Sequence, residues 1–326
     1  MDYPNITISA TPHVRSKDPT QSIMRDVIIA LMPATIVGVY RFGIKALLLI
    51  IISIASAVIA EAVYQKITKQ KVTISDLSAV VTGLLLAMNI PSSAPWWLPM
   101  VGSAFAIIFA KQLFGGIGQN FINPALAGRA FLLCSYPTLM TAWVAPGPDA
   151  ISVATPLAIL KEGNPETLSS LPSLLDAAMG NIGGCIGETC AIALIIGGLY
   201  LIAKGVISWR IPVVYLATVF VLSLLLPREG SNAVYDAVYE LMIGGVMLGA
   251  FFMATDYASS PITPKGQIIM GLGCGIITVL IRVYGGYPEG VSYSILIMNL
   301  CVPLIDRFTK PTIFGALPKA KEAKKA

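Results

Sequence analysis

The chain has 326 residues, 56% hydrophobic and 12% charged, with a mean hydropathy of +0.77 and a formal net charge of +5. A soluble domain carries about 25% charged residues. Half that share, with several uncharged runs of roughly 18 or more residues, predicts an all-α polytopic membrane protein. The basic residues fall in short loops and at the C-terminus, where they set topology and do not point to nucleic acid. The five cysteines are scattered, none in a CxxC pair, and His13 is the one histidine. That speaks against a zinc or iron–sulfur site built from this chain alone and leaves the cysteines as small apolar residues within helices.

In chain order, residues 1–22 form a polar lead with Arg15 and Lys17. The first apolar run has no small-residue cleavage site, so no cleavable signal peptide is expected. A first span is predicted at about 23–39 and a second ends near Tyr64, with Arg41 and Lys45 flanking the turn between them. The loop from Gln65 to Lys71 is strongly basic and reads as cytoplasmic. Span three, about 77–89, ends at a proline-rich turn, Pro91 to Trp97, with an interfacial tryptophan pair. Span four, about 98–114, leads to the glycine turn Gly115-Gly116-Ile117-Gly118-Gln119-Asn120, and Asn123-Pro124 opens span five, to about Tyr136.

Residues 137–180 break the pattern with Pro137, Pro146, Pro148, Pro156, Pro165 and Pro172. Five further spans are predicted at about 182–203, 211–226, 238–255, 266–284 and 291–306, before a basic tail from Arg307. The expected organisation is a cytoplasmic lead (1–22), a first five-helix half (23–136), an extracytoplasmic loop (137–180), a second five-helix half (181–306) and a cytoplasmic tail (307–326). About ten transmembrane helices with both ends inside place Thr155 on the extracytoplasmic side, and most lysines and arginines fall on the predicted inner side. Spans three to five and eight to ten share a weak pattern: a polar span end with a proline after it, then a span, a glycine-rich turn and an asparagine-bearing span. Their separation by five spans implies an inverted repeat of five plus five, a form that places binding sites where broken helices meet.

Several residues carry candidate chemistry. Thr155-Pro156 reads as an N-cap followed by proline at the first position of a short helix, Leu157 to Lys161, ended by Gly163. A phosphate esterified to that hydroxyl would also meet free backbone N–H groups. Asn120, Asn123, Arg129 and Asp256 lie at span ends or inside spans, where each is costly against lipid. Capping and interhelical hydrogen bonding are the structural alternatives. Glu61, Asp76, Glu188 and Glu240 are candidates for cation handling, with interfacial solvation the favoured account. Gly271-Leu272-Gly273-Cys274-Gly275 lies within a span and is read as a helix-packing face, not a dinucleotide fingerprint.

The segment Asp149-x-x-Ser152-x-Ala154-Thr155 resembles a flavinylation motif, in which a flavin transferase esterifies FMN phosphate to the final threonine. In context the chain resembles the family of D subunits of the Rnf ferredoxin:NAD oxidoreductase and B subunits of the Na+-translocating NADH:quinone oxidoreductase. The resemblance runs through Phe121 to Phe131, Tyr136-Pro137, Phe252 to Asp256 with Ser260-Pro261, Tyr287 to Val291, Asn299, and Pro303 to Asp306. The family often has glycine where Ala150 and Val153 stand. The short N-terminal lead favours the Rnf branch.

The resemblance implies an electron-relay subunit of a Na+- or H+-translocating complex in a prokaryotic cytoplasmic (inner) membrane. It implies covalent FMN on Thr155 and a second, non-covalent flavin, riboflavin, around Asn120, Asn123 and Asp256 nearer the cytoplasm. Arg129 would balance Asp256, stabilise the reduced flavin or form a structural ion pair. The implied partners are a second FMN-bearing subunit, iron–sulfur subunits, the flavin transferase and membrane lipid. A cofactor-free channel or transporter of inverted-repeat fold is the rival from another class.

Overall fold

The computed structural model describes residues 19–147, 152–162, 171–226 and 233–311. Asp149, Ala150, the predicted helix stop at Gly163, and most of the lead and tail lie outside the described residues. Among the described residues there is no strand, only the isolated bridges Pro91–Cys185 and Val144–Ser152.

Helix α1, Thr20–Ile67, carries both of the first predicted spans. Gly43 divides it, with φ 75° and ψ −165°, a conformation that glycine adopts without steric cost. Helix α2 is Ser78–Met88, and α3, Trp97–Phe105, continues through a π-helical stretch, Ala106–Lys111, and a tight turn, Gln112–Phe114. Helix α4, Pro124–Ser135, begins at the predicted asparagine, whose Oδ1 accepts from the N–H groups of Ala125 and Leu126. Three short helices follow: α5 (Pro137–Met140), α6 (Pro156–Glu162) and α7 (Leu174–Met179). Then come α8 (Ala191–Ala203), α9 (Arg210–Leu225), α10 (Ala233–Met242) and α11 (Val246–Leu248), the last running into a π-helical Gly249–Met253. Helices α12 (Pro264–Tyr284) and α13 (Val291–Phe308) complete the chain.

Four of these helices are long and apolar enough to cross a membrane: Thr20–Ile67, Trp97–Phe114, Pro264–Tyr284 and Val291–Phe308. The pair Ala233–Met242 and Val246–Met253, bent by 62°, makes a fifth, and α2, α4, α8 and α9 are shorter apolar helices. The chain is an all-α multi-pass membrane protein. Every predicted span carries helix, and α1, at 48 residues with its break at Gly43, holds two of them.

Two departures from the predicted spans have physical causes. Span six begins as helix only at Ala191; residues 181–190 are non-helical and run through the interior. The N–H groups of Ile186 and Gly187 donate to the carbonyls of Ile90 and Met88 at 3.1 and 2.9 Å, so the segment pairs with the end of α2. Irregular backbone is tolerated at membrane depth where protein satisfies it. Gly187 permits the approach, since a Cβ there would lie 2.5 Å from Met88 Cβ. Span eight is broken at Gly244, whose φ is 68°.

The predicted packing face on α12 is observed. Gly271 and Gly275 lie against α9, where added Cβ atoms would stand 3.0 Å from Ile211 O and 2.5 Å from Thr218 Cβ. Gly275→Leu should destabilise the fold by about 1–3 kcal/mol through overpacking. Gly286→Ala, with nothing within 4 Å, should be neutral. Thermal unfolding in detergent checks the pair, and equal midpoints would refute the close α9–α12 contact.

Candidate functional site

Asn120, Asn123 and Asp256 line one cleft of about 740 Å³, although 136 residues separate Asn120 from Asp256. Its walls come from α1 (Met24, Val27), α2 (Val81, Leu85), the start of α4, and the π-helical end of the bent pair (Phe251, Phe252). Asn120 Nδ2 donates to Asp256 Oδ2 at 3.4 Å and to the Ile122 carbonyl at 3.1 Å. Its Oδ1 has no partner among the described residues. Ser259 Oγ donates to the same Asp256 oxygen at 2.9 Å. Asn123 is buried; besides capping α4 it donates from Nδ2 to the Met253 carbonyl at 3.2 Å. Asn299, with its amide turned to suit its neighbours, accepts from the Asn123 N–H and donates to the Ser259 carbonyl. Polar residues that were separate in the sequence thus brace one another at the cleft.

The cleft also contains a cation that its sequence context had not singled out. Lys111 is buried within an apolar helix. Its ammonium donates to both Glu61 oxygens at 3.0 Å and to Ser78 Oγ at 2.6 Å, while Gln112 Nε2 donates to Glu61 Oε1 at 2.7 Å. The signal was present: a lysine inside an uncharged run requires a partner.

Interfacial solvation fails as the account of three of the other four acids. Glu61, Glu188 and Glu240 are buried and paired with Lys111, Arg129 and Arg282 respectively. Asp76 accepts from the Ser78 N–H and hydroxyl at 2.8 and 2.6 Å, holding the start of α2. Charges that cannot reach water at the bilayer surface are matched inside the protein instead.

Arg129 lies apart from Asp256. Its guanidinium donates to Asn89 Oδ1 (2.9 Å), Glu188 Oε1 (3.0 Å), Ser292 Oγ (2.9 Å), Cys185 Sγ (3.7 Å) and Glu289 Oε2. Of the three roles weighed for it, the structural ion pair is the one observed, with Glu188 and Glu289 in place of Asp256. The ligand atoms of Cys185, Glu188 and Glu289 lie within 4.8 Å of one another, and the guanidinium supplies positive charge to that group.

Thr155 has the predicted cap geometry. Its Oγ1 accepts from the Ala158 N–H at 3.2 Å, and its carbonyl from Ala158 and Ile159. It is only 5% exposed, whereas the neighbouring Ser152 and Ala154 are exposed. Thr155 lines a cavity of about 270 Å³ with Gly183, Gly184, Glu188, Gly244 and Glu289. Leu157 and Leu160 anchor α6 in a small core with Ala177, Ile182, Tyr239 and Ile243.

Residues 7–315 match the family described as NQR2, RnfD, RnfE. The chain belongs to this family. It is 58% identical to the D subunit of the Na(+)-translocating ferredoxin:NAD(+) oxidoreductase complex of Acetobacterium woodii, over 99% of this chain and 100% of that protein. It is 48% identical to the D subunit of the proton-translocating ferredoxin:NAD(+) oxidoreductase complex of Clostridium ljungdahlii, over 95% and 96% of the two chains. It is 35% identical to the D subunit of the ion-translocating oxidoreductase complex of Aliivibrio salmonicida, over 94% and 98%.

The Lys111–Glu61 pair makes a thermodynamic prediction. Lys111→Met leaves a buried carboxylate uncompensated and should cost about 3–5 kcal/mol, much of it recovered when Glu61→Leu is added. Unfolding of the two single variants and the double variant measures the coupling. Strictly additive losses would contradict the pairing.

Proposed function

We propose that the chain is the D-type membrane subunit of an ion-translocating ferredoxin:NAD+ oxidoreductase, moving electrons through two flavins while the complex translocates Na+ or H+. The observation that carries the reading is the convergence of Asn120, Asn123 and Asp256 on one cleft within the protein. Its lining is mainly apolar with a few convergent polar groups, the make-up usual for small-molecule sites. The free Asn120 Oδ1 is an acceptor for an imide N–H of the kind a flavin ring edge presents. Riboflavin is the occupant this reading assigns.

The second flavin, FMN, is assigned to Thr155 as a phosphate ester, formed with net loss of water. Flavin supplies the electron-accepting chemistry; the protein holds it, orients it and excludes water. The low exposure of Thr155 means that a flavin transferase must gain access while residues 152–155 are lifted from their seat. The inner bilayer of a prokaryote, cytoplasmic termini and an extracytoplasmic Thr155 complete the reading, with the other subunits supplying ferredoxin and NAD sites. The cofactor-free channel draws no support from the relatives, each named as part of an oxidoreductase complex. Their names divide between Na+ and protons, so both ions stay within the proposal.

Thr155→Ala should abolish the intact-mass increment of FMN minus water and the in-gel flavin fluorescence of the denatured chain. Persistence of either would move the attachment elsewhere. For the second flavin, Asn123→Asp keeps the oxygen that caps α4 but removes the amide donors. It should lower extractable riboflavin several-fold while covalent FMN stays at the wild-type level. Unchanged riboflavin in both Asn123→Asp and Asn120→Ala would sink the cleft assignment.

A further inference from the structure

Residues 152–162 carry Thr155 and the whole of α6, and they are docked on the protein through a small core of their own. We propose that this docking is an autoinhibitory contact toward the flavin transferase. The segment is a substrate only while undocked, so FMN joins Thr155 before α6 is seated, and a folded chain without flavin is modified no faster than the segment detaches. This order rests on the Thr155 assignment above and adds to it the element that decides when the acceptor is open.

The motif faces inward at its acceptor. Ser152 and Ala154 are exposed, but Thr155, Pro156 and Leu157 are all buried. The Thr155 hydroxyl oxygen accepts from the Ala158 N–H and lies against a space lined by Gly183, Gly184 and Gly244. In the transfer from FAD, that oxygen bonds to the flavin-side phosphorus, the bond from this phosphorus to the AMP oxygen breaks, AMP leaves and the hydroxyl proton passes to a base. The base has to come within about 2.6–3.2 Å of the hydroxyl while the phosphorus approaches the same oxygen. A hydroxyl turned into the protein admits neither.

Several contacts close the seat. Leu157 and Leu160, each 3% exposed, pack with Ala177, Ile182, Tyr239 and Ile243. Two glycines allow a close approach: a Cβ at Gly244 would lie 2.6 Å from Leu157 Cδ1, and one at Gly183 would lie 2.7 Å from Val153 Cγ2. The Val153 N–H donates to the Trp143 carbonyl at 3.1 Å, and Ser152 forms a bridge with Val144. At the far end of α6, the Lys161 ammonium donates to the carbonyls of Gly285 and Tyr287.

The same contacts let the segment open as a unit. Its leucines belong to a cluster distinct from the main core, and a part with few buried apolar contacts opens at lower free energy than the whole protein. The bonds of Arg129 go to Asn89, Cys185, Glu188, Glu289 and Ser292, none of them in residues 152–162. Undocking therefore leaves the central ion network in place.

The test uses the full chain made without transferase, purified in detergent and then given transferase and FAD, with the FMN mass increment followed against time. Chain co-expressed with the transferase first establishes the increment; its absence there would defeat the Thr155 assignment itself and this extension with it. With the increment established, Ile243→Ala, which loosens the seat and leaves the motif untouched, should speed modification at saturating transferase roughly tenfold or more, as should Leu160→Ala. Val153→Cys with Gly183→Cys places two thiols close enough to link the segment to its seat. The disulfide-linked chain should take up no FMN, and reduction should restore uptake. Equal uptake by the linked and reduced chains would overturn the proposal. A wild-type rate in both Ile243→Ala and Leu160→Ala would overturn it as well, and either arm decides alone if the other variant does not accumulate.

Discussion

The Arg129 guanidinium is the constraint on which the most parts of the structure depend. It projects from α4 and bonds to Asn89 at the end of α2, Cys185 and Glu188 in the non-helical segment, Glu289 in the loop before α13, and Ser292 in α13. Four chain segments distant in sequence meet at one cation. Its burial would be prohibitive alone, and so would that of the two carboxylates. Each is tolerable because the others are present, so the assembly forms as a set.

That set explains how a polypeptide can leave helical geometry inside a membrane protein. Residues 181–190 satisfy part of their backbone by pairing with residues 88–91, and Glu188 ties the segment to Arg129. The same segment supplies Gly183 and Gly184 to the cavity at Thr155, and Ile182 to the small core beneath α6. Thr155 is therefore positioned by a buried scaffold rather than by a free surface loop. The Lys111–Glu61 pair does comparable work at the other cleft, joining the π-helical end of α3 to the last turns of α1 and to α2 through Ser78.

Much of this was legible in the sequence where local physics decides the outcome. Asn123-Pro124 announced the start of α4, Thr155-Pro156 that of α6, and Gly271 with Gly275 a close helical contact. Each of these needs only neighbouring residues and the geometry of one element. The grouping of Asn120, Asn123 and Asp256 came from family resemblance, because no spacing rule joins positions 136 residues apart. What was missed is long-range pairing. Glu61, Glu188 and Glu240 look like interfacial acids when hydropathy is read along the chain, since their partners Lys111, Arg129 and Arg282 are 50, 59 and 42 residues away. The interior path of residues 181–190 was hidden for the same reason: an apolar stretch gives one hydropathy signal whether it is coiled into a helix or paired with a distant strand-like segment.

Helix α4 relates the two ends of the proposed relay. Asn123, Pro124 and Ala125 at its start line the cleft assigned to riboflavin, while Arg129 further along pairs with Glu188 and Glu289, which line the cavity at Thr155. At a rise of about 1.5 Å per residue, Asn123 and Arg129 are separated along the helix axis by roughly 9 Å. One helix of 12 residues thus reaches from the wall of the cleft to the acids beside Thr155. Its two polar anchors have different duties: Asn123 sets where the helix begins, and Arg129 fixes the helix to the rest of the protein. A shift of α4 would alter the cleft directly and the cavity at Thr155 through Glu188 and Glu289, so the ion network around Arg129 that holds the fold also ties the two proposed flavin sites to each other.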